Sequence, residues 1–245
     1  MMLEVKELSK RFGGLHALDN CSLKIRSQKI TAIIGPNGSG KSTLFNAISA
    51  LVKKDKGSVK FLDVDCSGFS DVAIAQSGIS RTFQEVRLFR NLTIKDHLDI
   101  AMSEEDSSLV KSLFRRKDSE DHHDQIKDIL KMVQLNKPLG TLATDLSYGQ
   151  RKLLDLAMAI AKPHKMLMLD EPVAGVNPLL RKSIKETLKQ LKEQGETIVV
   201  IEHDMNFVMD LADHIIVMDE GRVLVEGTPK QVQNNKKVLE AYLGQ

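Results

Sequence analysis

The sequence predicts an α/β fold built on a buried parallel sheet, with antiparallel β structure at its start and a helical lobe inserted in its middle. Three observations lead there. Ile30–Ile34 (ITAII), Met166–Leu169 (MLML) and Thr197–Ile201 (TIVVI) are short, continuous apolar runs, as strands covered on both faces require. Leu3–Leu8 alternates apolar and polar residues like a half-buried strand, and Ser22–Arg26 does the same after a Gly13-Gly14 turn signal. Between Leu92 and Leu146 the periodicity becomes helical and the charge density rises.

Length and composition bound the function. A chain of 245 residues suits one large domain, so one site per chain is the working assumption. Its 35 Lys plus Arg against 33 Asp plus Glu leave a net charge of +2, without the basic footprint that binding to nucleic acid needs. An aromatic content of 4% without Trp also argues against a surface that stacks on bases. Cys21 and Cys66 lie far apart with no CxxC and no neighbouring His, which reads as two reduced thiols without a role. No apolar run approaches the roughly 18 to 20 residues that span a bilayer, and Met1–Lys6 lacks the order of a signal peptide. Membrane association is therefore expected only through a partner protein, with no direct insertion.

Taken in order along the chain, the first chemistry-bearing segment follows the ITAII run. Gly35-Pro36-Asn37-Gly38-Ser39-Gly40-Lys41-Ser42-Thr43 fits G-x-x-x-x-G-K-[ST], and the apolar period of Leu44, Phe45, Ile48 and Leu51 predicts a helix after it. In that context the glycines let backbone N–H groups close around phosphate oxygens at a helix N-terminus. Lys41, expected as an exposed ammonium, reaches the terminal phosphates, and the Ser42 hydroxyl can ligate Mg²⁺. In the helical lobe, Ser103–Asp106 (SEED), Arg115–Lys117 and Ser119–Asp124 (SEDHHD) read as solvated turns and helix ends. His122 and His123 are taken as solvated side chains rather than metal ligands. Met158, Met166 and Met168 sit at apolar positions as core filling.

Ser147, within Leu146–Gln150 (LSYGQ), precedes the periodic Leu153, Leu154, Leu156, Ala157, Ile160 and Ala161 and so stands where a helix N-cap belongs. At the end of the MLML run, Asp170 can hold Mg²⁺ through its water while Glu171 faces an attacking water. Acidic residues at this position are also ordinary helix-start signals.

With the phosphate loop, LSYGQ and Asp170-Glu171 in this order, the chain resembles the ABC ATPase family, whose signature LSGGQ reads LSYGQ here. The resemblance covers essentially the whole chain. It implies a P-loop NTPase (RecA-like) core with an antiparallel β subdomain in residues 1–88 and 162–245, and an inserted α-helical subdomain in 89–161. By the same resemblance Phe12 stands where the adenine-stacking aromatic lies, and Gln84 where the glutamine loop joins the helical lobe and meets Mg²⁺. His203 falls where the switch histidine contacts the γ-phosphate. Each also has a plainer reading: Phe12 as a core residue, Gln84 as a surface amide, His203 as a strand-end cap. Two positions depart from the family pattern. Tyr148 replaces the first signature glycine, and Asn177 stands in Val173–Pro178 (VAGVNP) where many relatives carry Asp.

The family implies two chains, identical or closely related, that sandwich two ATP molecules. Each ATP lies between one subunit's phosphate loop and the other's Ser147–Gly149 segment, with Gln150 beside it, and Mg²⁺ as cofactor. It also implies a membrane permease as partner and a peripheral place on the cytoplasmic face. Arg81–Gln84 (RTFQ), Arg87–Phe89, Leu92-Thr93, the two departures and the ending Tyr242-Leu243-Gly244 are similar to ATPases of branched-chain amino acid importers. The same engine for urea, a short amide or a lipid stays open. So does a non-transport ABC ATPase, although the chain shows neither the coiled-coil insertion of repair members nor the second ATPase unit of translation members. A sensor that binds ATP without hydrolysis is disfavoured by Glu171 and His203.

Overall fold

A computed structural model describes residues 1–103 and 121–243. Ser103 is within it, whereas residues 104–120, with Arg115–Lys117 and most of SEED, lie outside the described residues, as do the His122 side chain and Gly244. The chain divides into two compact units, Met1–Arg81 with His164–Glu171 and Leu188–Gln245, and Thr82–Pro163 with Pro172–Thr187.

In the first unit, β1 (Leu3–Phe12), β2 (Leu15–Ile25), β4 (Lys56–Phe61) and β5 (Val64–Asp65) form an antiparallel sheet of order β2-β1-β4-β5. The alternation of β1 is not strict. Leu3, Val5 and Leu8 all face the core because Glu7 takes φ +48° and shifts the register with β2 between Val5 and Leu8. A bulge of this kind returns an out-of-phase apolar residue to the buried face.

The second sheet has the order β10-β9-β3-β8-β7-β6. It contains β3 (Ile30–Ile34), β6 (Ile79–Arg81), β7 (Met166–Asp170), β8 (Ile198–Ile201), β9 (His214–Asp219) and β10 (Arg222–Gly227). All pairings are parallel except that of β10 with β9. The three continuous apolar runs become β3, β8 and β7, lying side by side and buried throughout. Alternate residues of β3 face different cores. Ile33 joins Leu44, Phe45 and Ile48 of α1 (Lys41–Ile48) and the apolar face of the antiparallel sheet. Ala32 and Ile34 join Val208, Val232 and Val238 on the opposite face. Those residues come from α7 (Met205–Leu211), α8 (Pro229–Gln233) and α9 (Lys236–Leu243), so both faces are covered and no polar alternation is needed. Leu51 falls beyond the end of α1 and is 45% exposed, so the apolar period overran the helix.

The second unit is helical among its described residues. It contains α3 (Ile94–Met102), α4 (Asp121–Met132), α5 (Tyr148–Ala161) and residues 178–187 of α6 (Pro178–Glu193), while α2 (Asp71–Gln76) belongs to the first unit. Thr93 opens α3 with a reciprocal cap, its Oγ1 accepting from Asp96 N–H at 3.2 Å and Asp96 Oδ2 accepting from Thr93 N–H at 2.8 Å. Each bond satisfies a helix-end donor. Helix α3 packs on α5, whose apolar stripe is buried at Leu153, Leu154, Leu156 and Ala157.

Candidate functional site

In the first unit the buried β3 ends at Ile34, and residues 35–40 turn back into α1. Gly35 and Gly40 have no room for a side chain: a Cβ at Gly35, φ +149°, would lie 2.1 Å from Met218 O, and one at Gly40, φ +98°, 2.4 Å from Ala17 O. Gly38, φ +80°, instead faces open space, so its backbone can be approached closely from outside. Helix α1 starts on Gly40 with no side-chain cap and no acidic residue in its first turn. Its leading N–H groups and the positive end of its dipole are thus left for an anion.

Lys41 is buried, with 9% exposure, where the sequence reading expected an exposed ammonium. The side chain folds back over its own loop. Its Nζ donates to Gly35 O at 2.8 Å, Pro36 O at 2.7 Å and Ser39 Oγ at 3.2 Å. Burial pulls its pKa below the usual lysine value, while the Glu171 and Asp170 carboxylates act in the opposite direction. Ser42 is exposed and Thr43 half-buried in the same turn. A hollow of about 340 Å³ adjoins Pro36, Asn37, Gly38 and Ser39, but Asp219, Glu220 and Glu240 also line it. Three carboxylates repel a polyphosphate, so this hollow does not suit one.

Carboxylates gather where the neighbouring parallel strands stop, the end at which open α/β sheets bind ligands. Asp170 closes β7 and is almost fully buried, and Arg81 at the end of β6 donates from Nη2 to Asp170 Oδ2 at 3.1 Å. The other arm of the guanidinium, Nη1, donates to Ser49 Oγ at 3.1 Å, and the group lies 5.4 Å from the Phe45 ring centre, so Arg81 also grips α1. Glu171 takes φ +49°, uncommon for a side-chain-bearing residue, and its N–H bonds to Ile201 O at 3.0 Å. His203 Nδ1 is 3.7 Å from Glu171 Oε1. Phe12 is not a core residue: it is half-exposed, with Lys10 Nζ 5.3 Å from its ring centre.

The remaining candidates belong to the second unit. Ser147 caps α5, its Oγ accepting from Gln150 N–H at 3.3 Å while Gln150 Oε1 accepts from Ser147 N–H at 3.0 Å. Gly149 needs no positive φ, but a Cβ there would meet Leu180 Cδ2 at 2.5 Å, so the glycine allows α6 close. The two departures from the family pattern lie beside the same loop. The Tyr148 ring stands against Gly175, φ +71°, where a Cβ would be 3.1 Å from Tyr148 Cε1. Asn177 Oδ1 accepts from Leu180 N–H at 2.9 Å and caps α6. Gln84 is exposed, and its main-chain oxygen accepts from Lys152 Nζ at 3.1 Å.

Sequence reasoning missed Arg81, Lys152 and Glu202 as parts of these arrangements. Glu202 is fully buried, and its Oε2 accepts from His203 N–H at 3.2 Å. The available signal was a charged residue set at an apolar position: Lys152 beside the leucine stripe of α5 and Glu202 at the end of TIVVI.

Comparison with known proteins identifies the family and the fold. The ABC transporter family model matches residues 18–174, and a model described as branched-chain amino acid ATP-binding cassette transporter matches residues 222–245. The chain is similar to the high-affinity branched-chain amino acid transport ATP-binding protein LivG of Escherichia coli K12, 39% identical over all of this chain and 98% of the relative. A nucleotide-free ATP-binding cassette from an ABC transporter superposes with TM-score 0.84 at 34% identity, covering 100% of this chain and 99% of that one. A dimeric post-hydrolysis cassette bound to ADP and Pi superposes with TM-score 0.79 at 27% identity, covering 93% and 99%.

Proposed function

We propose, for a chain that belongs to the ABC transporter ATP-binding family, that this ATPase powers uptake of branched-chain amino acids through a separate membrane permease. The observation that carries the ATPase reading is the uncapped N-terminus of α1 behind a glycine loop, level with Asp170 and Glu171 at the end of β7. Backbone N–H groups of the glycine loop and of the first turn of α1, with the Lys41 ammonium, bind the polyphosphate, while Pro36, Asn37 and Ser39 shape the loop and Thr43 completes the first turn of the helix. For this, Lys41 exchanges Gly35 O, Pro36 O and Ser39 Oγ for phosphate oxygens. The Phe12 ring is open to stack on the adenine.

Ser42 hydroxyl and the Asp170 carboxylate would supply the hard oxygen donors that Mg²⁺ prefers, and the family resemblance gives the Gln84 amide the same role. When bound, Mg²⁺ neutralises charge on the β- and γ-phosphates. Glu171 takes the proton of the attacking water, and His203, 3.7 Å from it, reaches the γ-phosphate. Ser147, Gly149 and Gln150, in the helical part assigned to residues 89–161, serve the nucleotide of a second ATPase subunit, identical or closely related. Among the described residues no helix is long and apolar enough to cross a membrane. Docking on the cytoplasmic side of the permease is supported by Phe89, 60% exposed beside half-buried Leu88 and Leu92. The solute rests on the likeness to LivG and on the family model matched at residues 222–245.

Glu171→Gln tests the catalytic reading. It keeps the size of the side chain and removes the proton acceptor, so turnover falls by roughly 10²- to 10⁴-fold while ATP binding survives. Near-normal turnover measured by phosphate release would move the base elsewhere. For the solute, the chain reconstituted with its permease is expected to drive ATP-dependent uptake of labelled leucine. Uptake of urea or an amide instead would reassign it.

A further inference from the structure

We propose that Lys152 is a positioning residue that ties the glutamine loop to the signature helix, so that Gln84 moves with α5 when nucleotide engages the N-terminus of that helix. Lys152 lies two residues beyond Gln150, next to the leucines of the buried stripe, and is 4% exposed. An ammonium keeps its charge at such a position only where polar groups replace the lost water. One of them is the main-chain oxygen of Gln84, 3.1 Å from Nζ. Asp155, on the same face of α5, is another source of compensation. Burial pushes its pKa up to about 7, and the Lys152 charge acts against that rise.

The partner segment needs such a tie. Residues 82–92 contain neither helix nor strand, so few ladder hydrogen bonds fix them. Main-chain bonds hold its far end, where Leu92 N–H donates to Phe89 O at 3.2 Å and Ala143 N–H to Leu92 O at 3.1 Å, and side chains add to them. Arg87 lies over the Phe83 ring at 4.6 Å, Phe89 N–H donates to the fully buried His97 Nε2 at 3.0 Å, and Lys152 holds Gln84. Of these three contacts the Lys152 bond runs to α5, and it uses the Gln84 main chain rather than the side-chain amide. A displacement of the Ser147 end of α5 is thereby passed to Gln84 through one buried side chain. The inference rests on the reading that Gln84 and Ser147 serve the nucleotide.

The test is hydrogen–deuterium exchange in residues 82–92 of the full chain, with and without the Mg²⁺ complex of AMP-PNP. In the unaltered chain the nucleotide slows exchange there. Lys152→Met is expected to raise exchange about tenfold without nucleotide and to abolish the slowing, while binding of a fluorescent ATP analogue stays within about threefold. Lys152→Arg, long enough to reach the Gln84 oxygen, restores the slowing. Lys152→Gln, shorter and uncharged, behaves like Lys152→Met and stands in for it should that variant not fold. Slowing that persists in Lys152→Met or Lys152→Gln overturns the tie. A loop that ignores nucleotide in the unaltered chain overturns the Gln84 reading on which it stands.

Discussion

Lys41 illustrates how one side chain can both hold a loop and bind its ligand. Its three acceptors, Gly35 O, Pro36 O and Ser39 Oγ, are groups of the loop itself, so the ammonium gathers the loop around its own charge. Lys41→Ala is therefore expected to have two effects, whereas an exposed lysine would show one. ATP binding and hydrolysis are lost, and stability falls by about 1 to 3 kcal/mol because Gly35 O loses the ammonium and Pro36 O keeps only the Ser39 N–H. Nucleotide titration and urea denaturation measure the two separately, and unchanged ATPase activity would remove the phosphate-loop assignment. Arg81 is the opposite case, a residue whose charge faces inward. Its pair with Asp170 is nearly dry, with side chains 7% and 5% exposed, and removing one partner of such a pair costs about 3 to 5 kcal/mol because the other charge is left buried. Arg81→Met is expected to lower the urea midpoint far more than Ser49→Ala, which removes a single neutral acceptor. Equal midpoints would mean that Asp170 does not need the guanidinium.

At the scale of elements, the two departures from the family pattern are explained by local packing. Asn177 caps α6 through Oδ1, and Asn and Asp cap equally well, so loss of the carboxylate leaves the helix start intact. Asn177→Asp is expected to be nearly neutral, whereas Asn177→Ala costs about 1 kcal/mol, read as a shifted denaturation midpoint with unchanged slope. A larger loss in the aspartate variant would show that the neutral amide has a further task. Tyr148 is tolerated because its backbone needs no positive φ and its ring lies on Gly175, a position without a side chain to displace it. The same scale sets what was legible in the sequence. The three doubly buried strands could be read because apolar continuity is a local signal, and Ser147 because a cap is defined within three residues. The bulge at Glu7 and the shortened end of α1 were not legible, since both depend on which neighbour the chain packs against. Arg81 was hidden for a related reason, since only the fold brings it to Asp170, 89 residues away, whereas Glu202 stood in view at the end of TIVVI and only its full burial needed the fold.

For the molecule as a whole, the division of the site residues between two units carries the strongest consequence. The phosphate loop, Asp170, Glu171 and His203 belong to the first unit, and Ser147, Gly149 and Gln150 to the second. A similar cassette, bound to ADP and Pi, is dimeric. If the second set serves the nucleotide of the opposite subunit, damage to the two sets must complement between chains. Ser147→Arg replaces the cap of α5 with a bulky cation while leaving the phosphate loop intact, so the variant chain binds ATP nearly normally and does not hydrolyse it. Lys41→Ala does the reverse, losing its own nucleotide but keeping a sound Ser147 segment. In a heterodimer of the two variants, one site combines the damaged halves and the other combines the intact phosphate loop of the Ser147→Arg chain with the intact signature of the Lys41→Ala chain. With random pairing of equal amounts, about half of the dimers contain one such restored site, so the mixture should regain roughly a quarter of the unaltered activity when sites act independently. Each variant alone should stay inactive at the same total concentration. A mixture no more active than its components, with heterodimers confirmed by differential tags, would show that Ser147 is only a helix cap and that each chain hydrolyses its ATP without help from a partner.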